Sequence, residues 1–262
     1  MNIVSKLIVF IGVPLFLIIS SWAYLNINYQ NEKLMKDIVA NTEQLSETIR
    51  LGTHYAMTLN SRDDINQIIQ NIGKQQGIEK IHIYNKEGEI TFSNIQSEIH
   101  RKTDIEGDAC GVCHQVEPAL INLSLEQRTR IFNSSNGYRV LGILTPIYNE
   151  TGCSSESCHF HPEKKKILGA LDVVISLEKP DQAILGQKKE IITLAVTGFV
   201  IMSCIIFMFV HRFINAPIQK LIDETVRIAQ GDYQSKVEIA QGDEIGQLAE
   251  AINQMGSQID IQ

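Results

Sequence analysis

Two uninterrupted apolar runs constrain this chain more than any other feature. Leu7 to Ile27 is about 21 residues long, and a helix rising 1.5 Å per residue over that length crosses a hydrocarbon core of about 30 Å. Ile191 to Val210 is similarly long, contains no charge, and is followed at once by His211 and Arg212, the pattern of a cytoplasmic edge. For the first run a cleaved signal peptide is the alternative: Lys6 supplies a charged start, and Ser21-Trp22-Ala23 loosely imitates a small-x-small cleavage site. Read as anchors, the runs divide the chain into segments 1–6, 7–27, 28–190, 191–210 and 211–262. Charge does not orient them, because Lys188 and Lys189 sit on the opposite flank and long domains translocate regardless of charge.

Composition removes one class of partner. The net charge is −7 and no Lys/Arg block occurs, so nucleic acid, whose phosphates need clustered positive charge, is not expected to bind. No constellation suited to group transfer or hydrolysis is present either, and the chain reads as non-enzymatic.

Segment 28–190 reads as α+β. Leu34, Ile38, Leu45 and Ile49 recur at helical spacing, which predicts a stalk helix running from the first anchor to about Leu59. Ser61 is placed as an N-cap with Asp64 three residues later, Ile65, Ile68, Ile69 and Ile72 form one stripe, and Gly73 closes that helix. Ile81–Tyr84 and Glu89–Phe92 alternate on either side of an Asn85–Gly88 turn, a β-hairpin. Residues 94–122 are polar and irregular; a helix starts near Ser124, and the Ser135-Asn136-Gly137 turn leads into a strand over Tyr138–Tyr148. A last strand covers Ile167–Leu177. Its start, Lys166-Ile167-Leu168-Gly169-Ala170-Leu171, echoes Arg139-Val140-Leu141-Gly142-Ile143-Leu144, as neighbouring antiparallel strands joined by a large loop would.

The chemistry lies in two cysteine pairs. Cys110-Gly111-Val112-Cys113-His114 matches Cys-x-x-Cys-His, the attachment motif of c-type haem. Two thiols reach the vinyl groups on one porphyrin edge, and the histidine after the second thiol lies beneath the iron as proximal ligand. Cys153-Ser154-Ser155-Glu156-Ser157-Cys158-His159 has four intervening residues but the same ending, and it resembles the expanded motif of some multihaem cytochromes. Two haem c groups are therefore expected, with His114 and His159 on iron. A Cys₄ zinc site or two disulfides are the alternatives, and both leave the histidines unexplained. Covalent c-type attachment takes place outside the cytoplasmic membrane, which turns residues 28–190 outward, to the periplasm, and the C-terminus to the cytoplasm of a two-pass inner-membrane protein.

Distal ligands have several candidates, since His and Met are the usual axial partners. His54 and Met57 are three apart on the stalk helix; His161, followed by Pro162, and His100 lie near the two motifs. His82, between Ile81 and Ile83, reads as a solvated sheet histidine. An open sixth position would admit NO or CO.

After the second anchor, Pro217 opens a helix whose Ile218, Leu221, Ile222, Thr225 and Ile228 follow a coiled-coil seam ending near Gly231. A polar connector leads to Asp243-Glu244-Ile245-Gly246, and Ile245, Leu248, Ile252, Met255 and Ile259 restart the seam. The proline, the Asp-Glu-Ile-Gly motif and Ala249–Met255 resemble the HAMP linker of sensor kinases and chemoreceptors. That resemblance implies parallel four-helix bundles in a homodimer, held by the linker and stalk helices. The whole arrangement resembles bacterial transmembrane sensors with a periplasmic PAS-like or Cache-like domain that binds c-type haem, followed by HAMP and a kinase, chemotaxis or cyclic-dinucleotide output. It implies a redox or gas sensor. Such an output region would be a further segment or a separate partner, since Gln262 lies just past the linker. The rival expectation is a membrane-anchored dihaem cytochrome passing electrons between quinol and periplasmic partners; a third is a Cache domain that takes an organic ligand beside a structural haem.

Overall fold

The computed structural model describes residues 3–103, 111, 123–149, 166–232, 234–239 and 241–260. By contact they fall into two units, residues 28–187 and residues 1–27 with 188–262.

In the first unit, α1 (Ile3–Thr58) supplies the long helix expected from the apolar spacing, and it ends where Asn60 turns left-handed (φ 51°). α2 (Arg62–Gly73) follows. Ser61 occupies its N-cap position with extended backbone, yet its hydroxyl makes no capping bond; Asp63 and Asp64 in the first turn face the positive end of the helix dipole instead. Gly73 does mark the helix end, but not by turning left-handed: Lys74 after it is still helical (φ −79°), and the glycine is needed because a Cβ there would lie 2.4 Å from Asn94 Cβ.

The sheet contains β1 (Ile78–Asn85), β2 (Ile90–Ser93), β3 (Thr129–Asn133), β4 (Arg139–Tyr148) and β5 (Ile167–Ser176) in the order β2-β1-β5-β4-β3, every neighbour antiparallel. The β1–β2 turn is held by Asn85 Oδ1, which accepts from the backbone N–H groups of Glu87 and Glu89, with Gly88 at φ 75°. β4 and β5 are the neighbouring antiparallel pair that their echoing sequences suggest.

Period-two alternation sends Ile81 and Ile83 of β1, Leu171 and Val173 of β5, and Ile147 of β4 to one face, where they pack with Ile49 and Ala56 of α1 and Ile65 and Ile69 of α2. Each buried isoleucine, leucine or valine side chain among them contributes about 1.5–3 kcal/mol. Farther along the same face Leu141, Ile143 and Leu177 meet Met35, Ile38 and Val39 of α1. The hydroxyls of Ser46 and Thr145 bond each other at 2.8 Å within this contact, so the helix crosses the sheet without an unmet polar group there.

Two sequence expectations need correction. The helix expected from Ser124 is one turn, α3 (Leu125–Arg128), closed by a full capping box between Ser124 and Gln127, and it gives way to β3, which the pattern did not announce. β3 is a short edge strand with Arg130 at its second position, so it lacks a run of apolar alternation. Pro217, in turn, does not start a helix afresh. α4 (Glu178–Val210), a π-helical turn over His211–Asn215 and α5 (Ala216–Ala229) form one unbroken helix, and the carbonyl of Phe213 within that turn accepts from Gln241 Nε2 at 3.4 Å.

In the second unit the apolar stretches of α1 and α4 are long enough to cross a membrane, and their side chains point outward, with Phe10 81% and Met208 69% exposed. Apolar surface of that extent is stable against lipid and not against water. Residues 7–27 run on in the same helix, without a break, into the turns that pack on the sheet.

Gly169 of β5 pairs with Asn85 at the end of β1, and a Cβ there would stand 2.2 Å from the carbonyl oxygen of Tyr84. Gly169→Ala should therefore destabilise residues 28–187 by about 1–3 kcal/mol, the usual range for overpacking, read as a lower urea midpoint for protease resistance. An unchanged midpoint would show that the two strands separate freely at this point.

Candidate functional site

The segment that holds the second cysteine pair is flanked by one hairpin end of the sheet, and the segment that holds the first starts beside the β1–β2 turn and ends just before α3, whose Leu125 packs with Leu141 and Ile143. Tyr148 ends β4 beside Ile167, which begins β5, and the N–H of Asn149 donates to the carbonyl of Lys166 at 2.9 Å, so segment 150–165 leaves and re-enters at a single hairpin end. β1 finishes at the same end, where Asn85 pairs with Gly169. Segment 104–122 begins after Thr103, whose N–H donates to the carbonyl of Gly88 in the β1–β2 turn at 2.9 Å. Cys110, Cys113, His114, Cys153, Cys158, His159 and His161 lie outside the described residues.

The face of the sheet turned away from the helices carries a charged row. His82 of β1 pairs directly with Asp172 of β5. Arg130 of β3 stands opposite Gly142 of β4, where a Cβ would come within 2.9 Å of its guanidinium carbon; because Gly142 has none, Arg130 lies across β4 and reaches Asp172 Oδ2 at 2.6 Å. Asp172 is only 2% exposed, so its charge depends on that partner. The guanidinium also stacks on Phe132, 5.4 Å from the ring centre. Among the described residues Arg130 Nε and Nη1 and Asp172 Oδ1 are buried and find no hydrogen-bond partner.

His82 is buried, not solvated as its alternation suggested, because the 3₁₀ turn Gln96–Glu98 folds over it. Its Nε2 lies 2.7 Å from Glu98 Oε2 and its Nδ1 3.0 Å from the Tyr84 hydroxyl. A carboxylate only accepts, so Nε2 carries the proton and Nδ1 accepts from Tyr84. Burial pushes the His82 imidazole below its ordinary value of 6.5, against the opposing pull of Asp172 and Glu98. For Glu98, burial works upward, but the Lys80 ammonium at 2.8 Å and His82 outweigh it and hold the carboxyl low.

Lys80, His82, Thr103, Arg130, Tyr138 and Asp172 line a cavity of about 320 Å³ on this face. Tyr84 and Ala170 pair across β1 and β5 next to that row, and Ile90 and Leu144 pack with them; Leu144 stands level with Asp172, and Tyr84, Ile90 and Leu144 are buried.

The described distal-ligand candidates are scattered. α1 passes Leu141 and Ile143 with residues 35–39 and Thr145 with Ser46, so its last turns, with His54 and Met57, extend toward the end where β4 finishes. His54 is half-buried; Met57 packs against the helix-covered core. His100 is exposed, at φ 68°, with Nδ1 2.9 Å from Glu89 Oε1. Sequence reasoning missed the Arg130–Asp172 pair, whose members are 42 residues apart and meet only through the sheet register. The one local hint was a glycine at 142 inside a strand pattern.

The linker is built around α6 (Glu244–Asp260). Leu221 of α5, Val237 of the connector and Ala249 of α6 form its core, with Ile239, Ile245 and Ile252 around them. Asn253 clamps the connector, its amide oxygen accepting from the N–H of Val237 at 2.8 Å and its amide nitrogen donating to the Val237 carbonyl at 3.1 Å. Asp243 caps α6 through the N–H groups of Ile245 and Gly246, and a side chain at Gly246 would strike the Gln241 carbonyl. Residues 209–260 match the HAMP domain family. The chain is also 35% identical over 74 residues to Sensor protein SrrB of Staphylococcus aureus, in strains NCTC 8325 / PS 47 and COL alike, an alignment covering 25% of this chain. The chain spans 13% of the length of those relatives. The linker, two long apolar helices and this similarity support a signal-transducing membrane sensor, and the HAMP element itself is non-catalytic.

Because burial lowers the His82 pKa, the unfolded chain binds its proton more readily, and stability falls as pH drops through 6.5. Glu98 adds a second loss below its ordinary 4.5. His82→Gln should remove the first decline and leave the second, measured as protease-resistance midpoints between pH 4 and pH 8; a wild-type profile level across 6.5 would contradict the buried neutral imidazole.

Proposed function

We propose that this chain is a membrane-anchored sensor that holds c-type haem through Cys110, Cys113 and His114, and through Cys153, Cys158 and His159, outside the cytoplasmic membrane, and signals through its HAMP linker to a cytoplasmic output such as a histidine kinase, chemotaxis or cyclic-dinucleotide module. The observation that carries the reading is the course of β5. It leaves the hairpin end that roots segment 150–165 and runs directly into α4, the helix that continues into the linker. Its exit is clamped: the N–H of Leu177 donates to the Arg139 carbonyl at 2.9 Å, Arg139 pairs with Asp181, and Leu177 is fully buried against α1.

Among the described residues, the buried guanidinium nitrogens of Arg130 without partners are what supports an acidic group held beside this sheet face. When bound, haem iron supplies a redox change or a site for a small gas such as NO or CO. The chain's own part is mechanical. The thiols would fix the group to segments 104–122 and 150–165, the histidines and one distal residue would hold the iron, and the β4–β5 hairpin would pass any shift of segment 150–165 to Leu177 and α4. A differential of a few kcal/mol between the two states of the outer domain is enough to bias a two-state linker. The antiparallel sheet backed by a long N-terminal helix agrees with the PAS-like or Cache-like resemblance. Ile222, Leu248 and Met255 of the linker seam stay exposed in a single chain, which a second copy in a homodimer would cover. An electron-transfer cytochrome gives that linker no task.

Purified membranes should yield two covalent haems per chain by pyridine haemochrome assay, one being lost in Cys110→Ser/Cys113→Ser and the other in Cys153→Ser/Cys158→Ser. Zinc without a Soret band would overturn the reading. Cysteine crosslinking at Leu248 should differ between oxidised and reduced membranes, and identical patterns would remove the coupling to the linker.

A further inference from the structure

We propose that the cavity on the sheet face away from the helices binds a small zwitterion of no net charge, an α-amino acid, with its carboxylate on Arg130 and its ammonium on Asp172. The site uses no thiol and goes beyond the haem reading above. Its volume of about 320 Å³ lies at the lower end of small-molecule sites, about 300–1,000 Å³.

Strand alternation builds the walls. Alternate residues of β1, β3, β4 and β5 turn to this face: Phe132 pairs with Val140, Arg130 with Gly142, and Val174 stands between Gly142 and Lys80. Phe132, Val140 and Val174 line the cavity and give it an apolar side. Its charged lining is balanced, Glu79 and Asp172 against Lys80 and Arg130, which suits an occupant of no net charge. Part of that charge is already answered. Lys80 and His82 both bond Glu98, at 2.8 and 2.7 Å, and Glu79 accepts from the Tyr138 hydroxyl at 2.8 Å. Arg130 and Asp172 differ. They bond each other once, Nη2 to Oδ2 at 2.6 Å, and keep open capacity of opposite kind: among the described residues Nε and Nη1 have no acceptor and Oδ1 has no donor, although all three atoms are buried. The Asp172 side chain is only 3% exposed and lines the cavity. Buried polar atoms without partners are rare, because each has given up its water for nothing. A simple anion would meet the guanidinium and leave Oδ1 unmet, and a simple cation would do the reverse. An α-amino acid meets both, since its carboxylate and ammonium stand on one carbon, and its side chain can rest on the apolar wall. A guanidinium offers five N–H donors and stays charged, and so serves Asp172 and a second carboxylate together.

The test uses the full-length chain in detergent micelles. Equilibrium dialysis against labelled L-alanine and L-valine gives their dissociation constants, and at ten times that concentration hydrogen exchange of the β3 and β5 amides should slow about tenfold, with the linker amides unmoved. Propionate and ethylamine, the two halves of alanine, should each leave exchange as it was. Arg130→Gln/Asp172→Asn removes both charges together and strands neither, so it should lose the response to alanine while keeping its protease resistance. If that variant does not accumulate, alanine against its two halves decides on the wild type. Equal slowing by propionate would assign the cavity to a simple anion and overturn the zwitterion. Slowing retained in the double variant would put the amino acid elsewhere and equally overturn the site. Absence of binding by both amino acids would show that the open donors meet acceptors of the chain itself, and the proposal would fall. None of these measurements reads haem, so they fail or succeed separately from the haem reading.

Discussion

Everything in residues 28–187 hangs on β5 being paired along both edges. β1 and β4 flank it, so a strand of ten residues is bonded on either side and its alternation is enforced twice. Leu171 and Val173 are thereby committed to the helix-covered core and Asp172 to the opposite face, and a slip of one residue would bury the carboxylate among isoleucines. The same strand connects the second cysteine loop to α4. Core packing, the charged row and the path toward the linker are thus one constraint seen from three sides.

Local patterns were readable from the sequence, and long-range register was not. The extent of α1, the β1–β2 hairpin, the β4–β5 pairing and the two linker helices follow from periodicity and turn residues within short windows. β3 escaped because Arg130 breaks its alternation, and its strand character comes from pairing with β4. His82 was misjudged because alternation tells which face a side chain takes and says nothing of what covers that face; the cover is Glu98, 16 residues later. The two Cys-His motifs, by contrast, are wholly local and visible at once, while the charged row is spread over β1, β3 and β5.

The linker shows how a motif becomes geometry. Asn253 reads as a polar residue on an amphipathic helix, yet both ends of its amide are spent on Val237, which fixes a connector that has no regular structure of its own. Gly246 reads as a helix weakness, yet only a glycine lets the Gln241 backbone close on the start of α6. Gln241 then reaches back to the Phe213 carbonyl at the π turn. The turn that follows the apolar stretch and the start of the second linker helix therefore share one short segment, and neither can be repacked without the other.

The charged row on the sheet face away from the helices carries a cost that packing does not explain. A buried Arg–Asp pair rarely stabilises more than apolar residues of the same size would, since both charges lose their hydration. Here the arrangement also leaves Gly142 without side-chain packing, and two guanidinium nitrogens and a carboxylate oxygen without partners among the described residues. Three local costs on one face, none of which helps the core on the other, are more than stability alone would retain. The burial of His82 between Tyr84 and Glu98 keeps the neighbouring imidazole neutral and so leaves Arg130 as the cation that answers Asp172.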